Sequence, residues 1–286
     1  MCPTIGVIEN TFADKSNDSR YDGTFTTVYR ANWPKGGATA EYVYNANNLM
    51  VYPGQPILTF LDSEPLLPID YSNTVYKSNI GVGVLPGRAD FVVSPRGISR
   101  IVYPGLWKLG PYRTDNGTTL GQPNAASTRP FNIAKFSELY LIAAEAAVKG
   151  ATVKSGNSAR ELVNVLRARA GVWRWDNNGN AAKVQDNSAA LTAATPAVID
   201  INYILAERSR EFYGEGYRWF DLVRTQKWNE LAGTYEIGGS NYGNHTPVLV
   251  TREILPKHYL RPIPQGQIEA MEMTDEEKAA YQNPGY

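Results

Sequence analysis

The spacing of apolar and polar residues divides the chain into two parts of different texture. From residue 1 to about residue 130, Pro and Gly interrupt short apolar runs such as 81–85 and 90–94. Repeated Pro-Gly pairs, and a Gly-Gly pair at 36–37, are typical of turns. This pattern predicts a loop-rich region with a few short strands, long connections and little regular helix.

From about residue 131 the apolar residues recur at helical spacing. The stretch Leu139–Val148 follows Ser137 and precedes Gly150, which predicts a helix with a cap and a stop. A second helix is predicted over 158–170 and ends at Gly171. Two helices joined by a short polar link form an αα-hairpin of the tetratricopeptide type, and one such pair is visible.

Further helices are predicted towards the C-terminus. One starts near Pro196, after the polar segment 173–195, and runs to Tyr213, where Gly214 and Gly216 break it. The fold class predicted is therefore mainly α: a tetratricopeptide-like hairpin plus further helices, with a loop-rich region containing a few short strands. The other predicted elements are a helix over 217–228, a loop over 233–247, an extended segment over 259–264, and short helices at Pro264 or Gln265 and near Asp275.

Composition excludes several classes of function. The 286 residues carry 28 basic and 28 acidic side chains, so nothing favours nucleic acid or an anionic membrane surface as a partner. The single cysteine, Cys2, excludes an intramolecular disulfide, and His245 and His258 have no partners at metal-ligand spacing. No apolar run approaches the roughly 20 residues that span a bilayer, and no signal peptide is visible. We therefore expect neither a metal nor another cofactor.

The most informative stretch, 207–224, interleaves eight charged side chains with five aromatic ones. Nearly every acid in it has an Arg three or four residues away, the spacing of ion pairs on a helix surface. Such pairs lower the pKa of a carboxyl, whereas a general acid in glycoside hydrolysis needs a raised one. We therefore interpret the stretch as a structural network and predict no catalysis. Glu138 and Glu145 are likewise expected to bond Arg167 or Arg169 of the following helix.

Five blocks of sequence carry a family resemblance: 136–146, 162–171, 207–224, 259–264 and 282–286, with a further element at 18–22. In order and spacing they resemble the C-terminal half of SusD/RagB proteins, which are outer-membrane lipoproteins of Bacteroidetes that bind glycans or peptides. The family's N-terminal half, with its signal peptide, lipidated cysteine and most of its helices, has no counterpart here. We therefore expect a fragment or a separate half, with Cys2 an incidental thiol and the lipid anchor on the missing N-terminal part.

The resemblance implies a surface-exposed protein of the outer membrane that passes oligosaccharide to a SusC-like TonB-dependent transporter, without catalysis or cofactor. Residues 1–130 would form its loop-rich, ligand-facing part and residues 131–286 its helical core, within one structural domain. One alternative is a peptide-binding RagB-like protein. A second is a glycoside hydrolase or its accessory domain, which needs two unpaired carboxyls about 5–10 Å apart in a cleft. A third is a tetratricopeptide adaptor with an exposed apolar groove.

Recognition of a sugar needs flat aromatic faces for stacking and polar side chains for hydroxyl groups. Trp33 is the leading candidate, because a loop Trp beside a Gly-Gly turn is difficult to bury. Trp173 and Trp175 would point the same way in an extended segment, as a stacking platform or as a loop clasp over the helical hairpin. The polar run 176–180 after them lacks the full EF-hand spacing for calcium. For every candidate the alternative is burial in the core. The predicted ligand-binding residues are Arg30, Asn32, Trp33, Tyr42, Tyr44, Trp107, Tyr112, Arg113, Trp173 and Trp175.

Overall fold

The structure, a computed structural model, describes residues 2–31, 46–72, 81–110, 130, 132–240 and 244–286. The chain forms two compact units. The first unit comprises Met1–Gly216 with Glu236–Val248, and the second comprises Tyr217–Tyr235 with Leu249–Tyr286. The boundary predicted near residue 130 falls inside the first unit.

Short strands dominate the N-terminal part of the first unit, as the spacing of turn residues predicts. β1 pairs with β5, while β2, β3 and β4 form a three-stranded sheet in that order. β2 runs antiparallel to β3, and β3 runs parallel to β4. The elements are a π-helical turn Val7–Thr11, α1 (Arg20–Thr24), β1 (Phe25–Thr26), β2 (Val28–Arg30), β3 (Pro56–Phe60), β4 (Phe91–Val93), a 3-10 turn Pro95–Gly97 and β5 (Gly105–Leu106).

Aromatic rings fill the core of the first unit. Phe25 is almost fully buried, and its ring meets the edge of Phe12 at 5.9 Å between centroids and lies tilted on Tyr213 at 5.1 Å. Burying one such side chain contributes roughly 1.5–3 kcal/mol. Phe25 lies in β1 and Tyr213 directly follows a late helix, so this cluster ties the strand region to the helices of the same unit.

The predicted helical hairpin is confirmed as α2 (Phe136–Val148) and α3 (Ala159–Ala170). A capping box starts α3: the Glu161 amide donates to Ser158 Oγ at 3.3 Å, and the Ser158 amide donates to Glu161 Oε2 at 2.8 Å. The cap predicted at Ser137 is wrong. Ser137 lies inside α2, where its hydroxyl bonds the buried carboxyl of Glu211 instead of the helix backbone.

The polar segment after α3 contains two strands and a helix, which its polar composition does not indicate. β6 (Val172–Asp176) and β7 (Ala181–Asp186) form an antiparallel hairpin, and α4 (Ser188–Ala193) follows. The next helix, α5 (Ile201–Glu211), starts five residues later than Pro196 suggests. Asp200 decides this start, because its Oδ1 accepts a hydrogen bond from the Tyr203 amide at 2.8 Å and so caps the helix.

The second unit consists of short helices around a group of aromatic rings. The helix predicted over 217–228 ends at Arg224, because Gln226 adopts a φ of 57° and breaks it. Trp219 then meets Trp228 edge-on at 6.2 Å, and the Arg261 guanidinium lies 4.4 Å from the Trp219 ring. The helices are α6 (Tyr217–Arg224), α7 (Trp228–Ala232), a 3-10 turn Pro256–Tyr259, α8 (Gln265–Glu269) and α9 (Asp275–Tyr281). Two further strands, β8 (Thr234–Ile237) and β9 (Val248–Thr251), pair with each other, so the segment predicted as a loop over 233–247 contains a strand.

Candidate functional site

The buried charges of α5 form a network that reaches far beyond their own helix. Glu207 is 0% exposed, and its carboxylate contacts Arg20 at 2.7 Å, Arg210 at 2.5 Å and Arg167 at 3.5 Å. Burial alone would raise the pKa of Glu207, but the three guanidinium groups outweigh it and lower the pKa to about 2. Glu207 is therefore ionised at neutral pH and holds α1, α3 and α5 together.

Glu211 and Asp221 are paired as well. Arg169 Nη2 contacts Glu211 Oε2 at 2.5 Å, and although burial opposes it, this arginine lowers the pKa of Glu211. In the second unit Arg224 contacts Asp221 at 2.8 Å. The predicted pairing is thus confirmed at i, i+3 for Glu207 and Asp221, whereas most partners of α5 come from α1 and α3.

The two acids of α2 have partners other than those expected. Glu138 lies 3.6 Å from Arg208, and Glu145 lies 2.8 Å from Lys149. The two arginines predicted to bond them, Arg167 and Arg169, are drawn to Glu207 and Glu211 of α5. Helix packing therefore decides the choice of partner, which spacing along α2 does not reveal.

A cleft of about 410 Å³ opens in the first unit between β2, β3 and the β6–β7 hairpin, and we call it the hairpin cleft. Two of the predicted ligand residues, Arg30 and Trp173, line it. Three acids and four bases also face it, although they are spread over more than 160 residues of sequence. The charged residues of the wall are Lys15, Asp22, Arg30, Asp62, Arg88, Asp176 and Lys183.

The turn of the β6–β7 hairpin closes one side of this cleft. Asp22 accepts hydrogen bonds from the amides of Asn177 at 2.9 Å and Asn178 at 3.0 Å. The side-chain oxygen of Asn178 accepts in turn from the Thr27 amide at 2.7 Å, and Arg30 donates to the Asn178 carbonyl. These bonds fasten the hairpin to α1 and β2, so the polar run that follows Trp175 serves as a clasp.

The two lysines of the cleft are held by backbone and rings, and Arg88 pairs with Asp90 at 2.7 Å. Lys15 donates to the Ile8 carbonyl at 2.7 Å, and Lys183 lies 3.3 Å above the Trp173 ring. Desolvation by the cleft wall raises the pKa of Asp62, which nearby Asp22 raises further and Lys15 lowers. Desolvation also lowers the pKa of Lys15. Among the described residues, neither Lys15, Asp62 nor Lys183 takes part in an ion pair within 4.0 Å.

The two tryptophans of β6 do not form one platform. Trp173 is 4% exposed and donates its indole N–H to the Asn17 carbonyl at 3.3 Å, whereas Trp175 is 49% exposed. Between these two tryptophans one residue of β6, Arg174, faces two residues of β7, Lys183 and Val184, so the bulge lies in β7. Trp107 is exposed at the end of β5, outside the wall of the hairpin cleft.

Six predicted residues lie outside the described part of the chain: Asn32, Trp33, Tyr42, Tyr44, Tyr112 and Arg113. Sequence reasoning missed the side chains that the fold adds to the cleft, above all Lys15, Asp62 and Lys183. No local pattern marks these three, since only the tertiary structure brings them together. Asp22 had one signal, its place in the block 18–22 of the family resemblance.

Within the described ranges, no group of three or more His, Cys, Asp or Glu side chains is arranged to hold a metal ion. None of the helices that the structure describes is long and apolar enough to cross a membrane.

One surface fits the adaptor alternative. The outer face of α2 exposes Phe136, Leu139 and Ile142, at 71%, 58% and 52% of their surface. These residues recur every three positions, so they form one apolar stripe along the helix. An exposed stripe of this kind is typical of an interaction surface.

Comparison with known proteins places these features in a family. The profile of the SusD family matches residues 108–286, which include all five blocks that carry the resemblance. The crystal structure of a SusD-like protein from Bacteroides fragilis NCTC 9343 is similar at 16% identity and a TM-score of 0.38, over 94% of this chain. The present chain spans 39% of that protein, and a likeness at this level carries no argument about function. A search of curated proteins found no match.

Proposed function

Because the chain belongs to the SusD family, we propose that it is part of a non-catalytic protein that binds oligosaccharide at the surface of the outer membrane. Such a protein delivers its ligand to a SusC-like TonB-dependent transporter. The observation that carries the ligand assignment is the hairpin cleft, in which polar groups of both signs surround a space of about 410 Å³.

The chemistry of the cleft suits hydroxyl groups. A sugar hydroxyl both donates and accepts hydrogen bonds, so a wall with carboxylates and ammonium groups side by side satisfies it in either direction. Asp62 supplies acceptors, and Lys15 and Lys183 supply donors, without an ion pair that the ligand must first break. Arg30 is held by the Asn178 carbonyl at the edge of the same cleft.

The arrangement of the acids favours binding over hydrolysis. Glu207 and Glu211 are occupied by arginines, which stabilise their ionised forms, and Asp221 is paired with Arg224. In the cleft, Asp22 accepts hydrogen bonds from the backbone amides of the hairpin turn, and Asp176 accepts one from the Gly179 amide at 2.6 Å. Both carboxylates therefore stabilise the conformation of the turn. A retaining or inverting glycosidase needs a second carboxyl free to act on the sugar beside the first.

Asp62 offers the sharpest test of the cleft, since its side chain lines the cleft and takes no part in the hydrophobic core. A glycan-affinity screen of the chain identifies a retained oligosaccharide, and calorimetry then measures its Kd for Asp62→Asn. A hydrogen bond to a charged group contributes about 1.5–3 kcal/mol, so we expect binding to weaken by about tenfold or more. Asp275→Asn, an equal change on exposed α9, serves as the matched control.

Two outcomes separate the site from the function. If the Kd is unchanged in Asp62→Asn but binding is lost in Trp33→Ala, the protein binds glycan at the loop predicted around Trp33 and not in the hairpin cleft. A chain that retains no glycan but captures peptides would favour the RagB-like alternative.

The apolar stripe on α2 supports a second candidate, an adaptor that binds a partner protein. Replacing Leu139 and Ile142 by Ser would then abolish complex formation while glycan binding persists. Retention of the Leu139→Ser, Ile142→Ser variant on a glycan-affinity column, beside pull-down of a co-expressed partner protein, discriminates the two functions, since only the adaptor hypothesis predicts capture of a partner by a chain that retains no glycan.

A further inference from the structure

A second cleft of the first unit, about 350 Å³ in volume, lies where α1, α3 and α5 meet. Its charged wall carries five cations and one carboxylate: Arg20, Lys108, Lys135, Arg169, Arg210 and Glu211. We call it the basic cleft. It shares no lining residue with the hairpin cleft.

The acids that balance these cations lie deeper than the cations do. Glu207 is fully buried beneath Arg20 and Arg210, and the Glu211 side chain is 4% exposed, whereas its partner Arg169 is 55% exposed. Carboxylate oxygens are therefore withdrawn into the protein, and of the three guanidinium groups in the wall Arg169 is the most exposed. A solute entering the cleft meets mainly positive charge.

Several N–H donors of the wall remain for a ligand. Arg169 uses only Nη2, on Glu211, and Lys135 donates to Glu215 Oε1 at 2.8 Å. Arg210 donates hydrogen bonds from Nε and Nη2 to Glu207. A guanidinium carries five N–H donors and an ammonium three, so each of these side chains keeps donors that no described residue accepts from.

Like charges also crowd one edge of the cleft. Lys108 and Lys135 share a single carboxylate oxygen, Glu215 Oε1, at 2.5 and 2.8 Å. Desolvation lowers the pKa of Lys108, and the charge of Lys135 lowers it further although Glu215 opposes both. A bound anion would reduce the repulsion between the two ammonium groups.

We propose that the basic cleft binds an oxyanion: the sulfate, phosphate or carboxylate group of a small ligand. The fork of Arg169 supplies paired donors of the geometry that such groups accept, and Lys135 supplies a point charge in the wall of the same cleft. The site is independent of the hairpin cleft and of the glycan binding proposed there.

The test is the thermal unfolding of the whole chain in increasing sodium sulfate, with sodium chloride at matched ionic strength as reference. Specific binding raises Tm along a saturating curve, whereas general exclusion of sulfate from protein surfaces has no saturation. Sodium phosphate and sodium glucuronate, run in parallel, identify which source of oxyanion the cleft prefers.

Two substitutions assign the effect to the cleft. Lys135→Gln removes a charge, and Arg169→Lys keeps the charge beside Glu211 but loses the paired donors. We expect the apparent affinity to fall about tenfold in each. Lys154→Gln, an equal change on an exposed link, should behave as the parent chain.

The proposal fails if no oxyanion gives a saturating rise in the parent chain. It fails equally if the curve saturates at the same concentration in Lys135→Gln and Arg169→Lys. Circular dichroism shows whether each variant is folded. If Lys135→Gln does not fold, Arg169→Lys alone decides the result.

Discussion

Replacing Glu207 with Gln tests whether the buried network of α5 stabilises the fold. The substitution keeps the size of the side chain and removes the negative charge that faces Arg20, Arg210 and Arg167. Three guanidinium groups then share fewer acceptors in a fully buried setting. We expect α1 and α3 to lose their hold on α5.

The magnitude follows from two routes. The pKa of Glu207 falls from 4.5 to about 2 in the folded chain, and each pKa unit corresponds to about 1.4 kcal/mol, which places the network's preference for the ionised form at roughly 3 kcal/mol. Breaking a buried ion pair by removing one partner costs about 3–5 kcal/mol in other proteins. Both routes predict a free energy of unfolding lower by about 3 kcal/mol at pH 7.

Urea denaturation followed by circular dichroism measures this difference. Glu253→Gln, in an exposed segment, is the matched control and should leave the midpoint unchanged. A decrease in the free energy of unfolding of less than about 1 kcal/mol in Glu207→Gln would refute the reasoning. The buried network would then contribute no more than an ordinary ion pair on a protein surface.

The pH dependence gives an independent check with a definite sign. The folded pKa of Glu207 lies below its value in the unfolded chain, so its contribution is complete above about pH 4.5 and is lost as pH falls towards about 2. The parent chain and Glu207→Gln should therefore differ most at neutral pH and converge in acid. A difference that stays constant from pH 7 to pH 2.5 would contradict the assignment.

Two further predictions concern the hairpin cleft and the helical hairpin. Asn178→Ala removes the acceptor for the Thr27 amide and the donors to Asp22 and Phe25, so we expect the free energy of unfolding to fall by about 1–3 kcal/mol. Amide hydrogen exchange should accelerate over 172–186. Unchanged exchange there would show that these hydrogen bonds are not needed to hold the β6–β7 hairpin in place. Ser158→Ala removes the cap of α3 and should cost about 1 kcal/mol, which Ser158→Asp should largely restore in the same denaturation assay.

The sequence by itself determined the elements that are set by residues within one or two helical turns of each other along the chain. The spacing of the apolar residues predicts α3 correctly, and the capping box that starts this helix, Ser158 with Glu161, is likewise formed by neighbours along the chain. The same holds for the i, i+3 pair of Glu207 with Arg210. Family membership also rests on such blocks of contiguous residues.

Only the tertiary structure decided which distant groups meet. Arg20 reaches Glu207 across 187 residues of sequence, and Asn178 docks on Asp22 across 156, so neither contact leaves a local pattern. Trp173 and Trp175 are two residues apart in β6, yet Trp173 is buried beneath Lys183 and Trp175 is exposed, which only the packing of distant groups decides. The buried network and both clefts thus depend on how helices and strands pack, whereas the helices themselves follow from interactions a few residues long.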